Sequence, residues 1–282
     1  MKAGFGDNGS VMNDVGQIGF ASFESGGAEQ YEHFAVGDPE EGYSLFYMDS
    51  GGDHTAYDVY SPGEILNITV SGHTVFRNDA AEFVEQTRST TNDGMLEIRN
   101  TLTFAVDATR VVVRMDVTNT AKTDLTDVLI KRYCDIDVDT GGPNGWAGFQ
   151  NHFSKDRDSV HAWNQPSEVT APGRHAHIVN MVAMPSDVPL DQTFIGLMGI
   201  GQYTTRMNSS PITDSARHDG VGVLQWSVSR LRSGESVRLN LYYDAFCVCT
   251  DLPLHYKHEA FSVRATDVHV AADVKRAKKQ KV

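Results

Sequence analysis

The run Asp135-Ile136-Asp137-Val138-Asp139-Thr140-Gly141-Gly142-Pro143-Asn144-Gly145-Trp146 holds the densest set of side chains that could do chemistry. In an extended strand alternate residues share a face. Asp135, Asp137 and Asp139 would then stand on one side, with Cys134, Ile136 and Val138 on the other. Successive carboxylates on such a strand lie ~6.6–6.8 Å apart. At that separation each pair repels by ~0.6 kcal/mol in water, and by more where water is excluded. A cation would relieve the repulsion, and hard oxygen ligands suit calcium. The spacing matches the first half of an EF-hand loop. However, the sixth position is Thr140 rather than Gly and the twelfth is Trp146 rather than Glu, so the run is not an EF-hand. The plainer alternative is a solvated acidic strand end, balanced in part by Lys131 and Arg132.

Aromatic residues gather near the same region: Trp146, Phe149, Phe153 and Trp163. A Gly-Pro-Asn-Gly loop carrying Trp146 could present a flat ring to a sugar face, with Trp163 beside it. Equally, Trp146 and Trp163 could close an open end of the core. His175 and His177 would share a strand face, and His152 and His161 are near in sequence, a set compatible with a metal or an acid–base pair. Paired carboxylates can also cleave glycosidic bonds. Asp135, Asp137, Asp139, Glu82 and Glu85 are the candidates, though nothing separates them from the other acidic residues. The chain has no G-x-S-x-G, no P-loop and no G-x-G-x-x-G after a strand, which disfavours serine hydrolases and nucleotide enzymes. Cys134, Cys247 and Cys249 are an odd number without C-x-x-C spacing. They read as small buried apolar residues rather than as a disulfide framework or a zinc site.

The elements that must position these groups are strands. Period 2 dominates the chain. In 110–119, Val111, Val113, Met115 and Val117 take one face and Val112, Arg114 and Asp116 the other. Residues 96–106 precede it across a hairpin-length link, and 127–138 follow a turn, making an antiparallel meander. Residues 17–23, 43–48, 65–70, 73–77, 177–184, 193–199, 223–229 and 236–246 read the same way, and 262–274 could add an edge strand. Gly-, Asn- and Asp-rich pieces such as 92–94 separate them. The best helical candidate is 78–86, with Asn78 or Asp79 as its cap, although it could equally be extended. With no fixed-period repeat and no linker, the expectation is an all-β protein of two large antiparallel sheets packed as a sandwich. The sandwich spans residues 1–274, followed by a basic tail at 275–282.

The strand pair ending in VTNTAKTDLTDV, followed by LIKRYCDIDVD, resembles the large sandwich domains of the galactose-mutarotase-like group. It is most similar to the supersandwich that precedes the catalytic barrel in glucodextranases and bacterial glucoamylases. The opening GDNGSVMNDVGQIGF is similar too. The resemblance implies a fold and a carbohydrate-associated setting. It implies no activity: the chain is too short to include the helical barrel, and no residue here matches the mutarotases' His acid or Glu base.

The formal net charge is −13, which makes the body a poor match for nucleic acid. The last eight residues hold five positive charges and no acid. They read as a solvated arm or as one that docks on an anionic surface. No window approaches 18 apolar residues, so no transmembrane segment is expected. The first ten residues lack the apolar stretch of a signal peptide, so an extracellular location would require that segment to be absent from this chain. These observations rank a non-catalytic, carbohydrate-associated binding or assembly domain first. A saccharide-active enzyme of mutarotase, epimerase or lyase type follows, and then a structural subunit that pairs into a homo-oligomer through exposed strand edges.

Overall fold

The computed structural model describes residues 2–3, 20–23, 30–34, 41–58, 68–78, 82–105, 109–140, 151–165, 167, 176–196 and 220–248. Among them are sixteen strands and no α-helix: β1 (Lys2–Ala3), β2 (Phe20–Phe23), β3 (Gln30–Phe34), β4 (Glu41–Asp49), β5 (Gly52–Asp58), β6 (Ile68–Arg77), β7 (Glu82–Thr91), β8 (Leu96–Ala105), β9 (Arg110–Asn119), β10 (Leu125–Thr140), β11 (His152–Lys155), β12 (Ser159–Trp163), β13 (Ala176–Met184), β14 (Leu190–Gly196), β15 (Val221–Leu231) and β16 (Ser236–Val248). Sheet I runs β1-β2-β3-β10-β15-β14, with β4 also paired to β10 and β5 paired to β4. Sheet II runs β11-β12-β13-β16-β9-β8-β7-β6. The pairings are antiparallel, as the short connections require. The expected all-β architecture of two large sheets is the one observed.

Alternation builds the core. Burial along β9 follows strict period 2, with Val111, Val113, Met115 and Val117 inside. They meet Tyr43, Leu45, Val128, Ile130 and Leu224 of sheet I in one cluster. The sheets come close at Gly222, where an added methyl would lie 2.9 Å from Val160 Cγ1. Asn92-Asp93-Gly94 turns β7 into β8, with Gly94 at φ 73°, a conformation that glycine adopts without steric cost.

One buried charge pair of sheet I points into the core and is met there by sheet II. Glu41 on β4 lies opposite Cys134, and Arg132 on β10 lies opposite Tyr43, so both point into the core. Arg132 Nη2 donates to Glu41 Oε2 at 2.7 Å, and its Nε donates to Oε1. Tyr243 of sheet II donates its hydroxyl to the same Oε1 at 2.6 Å. Burial alone would lower the Arg132 pKa, but the Glu41 charge outweighs it and holds the guanidinium charged. The expectation that Arg132 balances the Asp135–Asp139 strand therefore fails. Arg132 sits on the opposite side of β10, and Glu41 takes its charge.

Two local expectations also change. Residues 82–91, which overlap the helical candidate, form a strand: the β-branched run Thr87, Thr90, Thr91 suits a pleated sheet, and β7 pairs on both sides. Asn78, just past β6, accepts from the Glu82 amide at 2.9 Å. The two runs around residues 65–77 are one strand, β6, with a register shift between Val70 and Gly72. The 262–274 segment and the basic tail lie outside the described residues.

Candidate functional site

The outer face of sheet I carries the predicted acidic strand. Cys134, Ile136 and Val138 belong to the core cluster, so Asp135 and Asp137 project from the other side of β10, as alternation predicts. Lys131 and Tyr133 share that face. Lys131 is flanked in register by Ser44 on β4 and Gln225 on β15. Ser44, Lys131, Tyr133, Asp137 and Gln225 are all buried, and Asp135 nearly so. Gln225 Nε2 donates to Asp191 Oδ2 at 2.7 Å. Above the end of the β10–β15 pairing, asparagines serve the β10 backbone. Asn151 accepts from the Val138 amide at 3.2 Å and donates to the Ile136 carbonyl at 3.0 Å, and Asn164 donates to the Val138 carbonyl at 2.8 Å. These bonds lock the strand that aims Asp137. The result is a floor of ammonium, carboxylate, amide and hydroxyl groups on the side of the sheet away from the core. The Asp139 side chain and all of Trp146 lie outside the described residues. Among the described residues, no three His, Cys, Asp or Glu side chains converge to hold a metal ion.

The outer face of sheet II carries a second polar row, which the sequence reading missed. Ser159 and His161 are two residues apart on β12. The register then brings Asn180 of β13 opposite His161, Asp244 of β16 opposite Asn180, and Arg110 of β9 opposite Asp244. Asp244 accepts from Asn180 Nδ2 at 2.6 Å and from Arg110 Nη2 at 3.0 Å. That turns Asn180 Oδ1 toward His161 Nδ1, 2.6 Å away. An amide oxygen only accepts, so Nδ1 carries the hydrogen and Nε2 faces Ser159 Oγ at 3.0 Å as an acceptor. Burial lowers the His161 pKa, against the Asn180 bond and the Asp244 charge, which favours this neutral imidazole. Burial raises that of Asp244, with Asn180 and Arg110 opposing. Arg110 also lies 3.8 Å over the Tyr242 ring. The Ser-x-His alternation was readable, but its partners 21 to 85 residues downstream were not, because only strand register assembles them.

Trp163 is on the same face, wholly buried, and stacks with His152 at 5.7 Å between ring centroids. The histidines divide: His152 and His161 lie on the outer face of sheet II, while His177 alternates to the core side with Val179. His175 lies outside the described residues. Glu82 and Glu85 fall on opposite faces of β7, so they form no carboxylate pair.

A cavity of about 240 Å³ opens where the β4–β5 hairpin meets the β7–β8 turn, lined by Tyr47, Thr55, Ala56, Thr91, Asn92 and Asp93. Tyr47 donates to Asp93 Oδ2 at 2.6 Å and stacks on His54, whose ring nitrogens reach Asp49 (3.0 Å) and Asp93 (3.2 Å). Burial, then the Asp93 bond, pushes the Tyr47 hydroxyl pKa well up. This cluster ties the two sheets together at their corner.

Solved structures similar to the chain include a bacterial glucoamylase complexed with acarbose, at 9% identity and TM-score 0.46 over 73% of this chain and 27% of that one. A GH36 α-galactosidase from Geobacillus stearothermophilus matches at 9% identity and TM-score 0.35, over 72% and 29%. A polysaccharide lyase matches at 14% identity and TM-score 0.32, over 73% and 25%. The chain spans about a quarter to a third of the length of these proteins. No protein-family model matches it, nor does any curated protein sequence.

Proposed function

We propose that the chain is a non-catalytic, carbohydrate-associated binding or assembly domain whose ligand surface is the outer face of sheet I. One observation carries this reading: Lys131, Asp135, Asp137, Ser44 and Gln225 gather, buried, on the side of β10 and its neighbours that faces away from the core, so a ligand that reaches them must displace what covers them. A sugar offers many hydroxyls, each a donor and an acceptor. Carboxylates and an amide oxygen accept from them, while an ammonium and an amide NH₂ donate. Trp146 is proposed to add a flat ring at the rim, and Asp135, Asp137 and Asp139 to hold calcium at the strand end. The resemblance of the 96–164 region supports the carbohydrate class, and activity is not part of the claim.

A glycan array followed by calorimetry tests it. Weak binding of an unaltered glycan is expected, reduced about tenfold or more in Asp137→Asn, a loss of about 1.4 kcal/mol. An array blank across neutral and acidic sugars removes the binding claim. Thermal unfolding with calcium and with EDTA tests the metal separately. A midpoint higher in calcium supports it, and coincident midpoints reject it.

The Ser159–His161–Asn180–Asp244 chain favours a second reading, a saccharide-active enzyme of mutarotase, epimerase or lyase type. Its neutral imidazole is held in one tautomer by a buried carboxylate two groups away, the arrangement that general acid–base chemistry uses. Turnover of a sugar that is lost in His161→Gln would establish this reading, and absence of turnover across bound glycans would dismiss it.

A further inference from the structure

We propose that β6 is a self-docking edge through which two copies of this chain pair, joining their sheets II into one continuous antiparallel sheet. The inference stands apart from the carbohydrate reading. Ten residues long, β6 ends sheet II, and every residue from Thr69 to Arg77 is exposed. Apart from β7, no strand among the described residues pairs with β6, and long edges of that kind template strand addition unless charge, proline or a cover blunts them. No proline and no carboxylate occurs in β6. In a chain of net charge −13, this strip bears only His73 and Arg77 as ionisable groups. It is therefore a place where two acidic bodies can approach with little repulsion.

The apolar surface is concentrated at the same place. Among the described residues the exposed large hydrophobics are Val70, Val75, Phe76 and Phe83, all on β6 or its neighbour β7. The register shift after Val70 matters here. Val70 pairs with Ser89 and Val75 with Glu85, residues on one face of β7, so Val70 and Val75 share a face despite their odd spacing. A two-fold axis at His73 then sets Val70 of each copy opposite Val75 of the other on that face, with the two His73 residues facing each other across it. It also sets Thr69 opposite Phe76 on the reverse face. The edge is self-complementary, as an isologous interface requires, and pairing removes the free edge from both copies. Apolar and β-branched residues directly opposite across strands stabilise the pairing.

Sedimentation velocity on the full chain, from low micromolar to several hundred micromolar, tests this together with amide hydrogen exchange. We expect a reversible monomer–dimer equilibrium, with the β6 amides gaining protection as concentration rises. Val70→Lys with Val75→Lys sets lysine against lysine and should weaken the dimer at least tenfold. The monomer's melting midpoint should stay put, since both positions are exposed. A wild-type chain that stays monomeric throughout overturns the proposal. So does a dimer that the double variant leaves intact, because its interface lies elsewhere. Slow exchange in the monomer of those β6 amides that point away from β7 would also overturn it, since the edge would then already be covered.

Discussion

The middle and the margin of sheet II follow the same alternation and reach opposite outcomes. In the middle, β9 and β16 send Val111, Val113, Met115, Leu239 and Leu241 into the core, every one of them fully buried. Two strands away, β7 sends Glu85, Thr87, Ser89 and Thr91 to that same side, also buried. There the hydroxyls of Thr87 and Ser89, and both polar atoms of Asn100 opposite Thr87, meet no hydrogen-bond partner among the described residues. One strand further out, β6 is exposed on both faces. The period therefore says which residues share a side. Whether that side meets a partner depends on how far sheet I extends, and sheet I ends at β5.

Substitutions can break or sharpen this contrast. The largest effect is expected at the charge pair under the middle of the sandwich. Arg132→Met strands the Glu41 carboxylate between the sheets and should cost about 3–5 kcal/mol in urea unfolding. Adding Glu41→Leu should restore much of it, and a double variant no better than the single would mean the pair is not mutually compensating. Leu241→Ala in the middle should cost about 2–5 kcal/mol, against under about 0.5 kcal/mol for Val75→Ala at the margin. Similar values at the two positions would erase the contrast. Gly222→Ala drives a methyl against Val160 and should cost about 1–3 kcal/mol, read as a lower denaturation midpoint. Asn100→Leu at the margin should be near neutral or stabilising, because it removes buried polar atoms that meet no partner among the described residues. A cost above about 2 kcal/mol would instead indicate ordered water bridging the row.

A small effect is also expected from pH at the corner. Burial pushes the Asp93 carboxyl up, but bonds from Thr91, Tyr47 and the Met95 amide, with the His54 charge, outweigh it and hold the pKa below the usual range. A folded pKa below the unfolded value near ~3.9 stabilises the protein fully above about pH 5, and that stability is lost as pH falls through the folded value. Partial exposure limits the term to under about 1 kcal/mol. The stability gap between wild type and Asp93→Asn should therefore narrow from pH 6 toward pH 3, and a gap that widens would contradict the assignment.

Much of the frame was legible before any coordinates. The faces of 111–117 and 134–138 follow from alternation and hold residue by residue, with Asp135 and Asp137 opposite Cys134, Ile136 and Val138. The break at Asn92-Asp93-Gly94 follows from turn chemistry. The strand at 82–91 was obscured because Asn78 and Asp79 signal a helix cap as readily as a turn, and the difference lies in pairing with β6 and β8. The polar row of sheet II was obscured for a stronger reason: Ser159, His161, Asn180 and Asp244 become neighbours only through three strand registers.

By itself the sequence determined the element type, the side on which each strand residue stands, and the acidic character of the whole, because these depend on backbone period and composition. Only the tertiary structure decided that Arg132 answers Glu41 rather than the aspartates, that Lys131 and Asp137 lie buried on an outer face, and that β6 is left uncovered. Each of those depends on which strand lies beside or across from another, a long-range choice that no local window of residues contains.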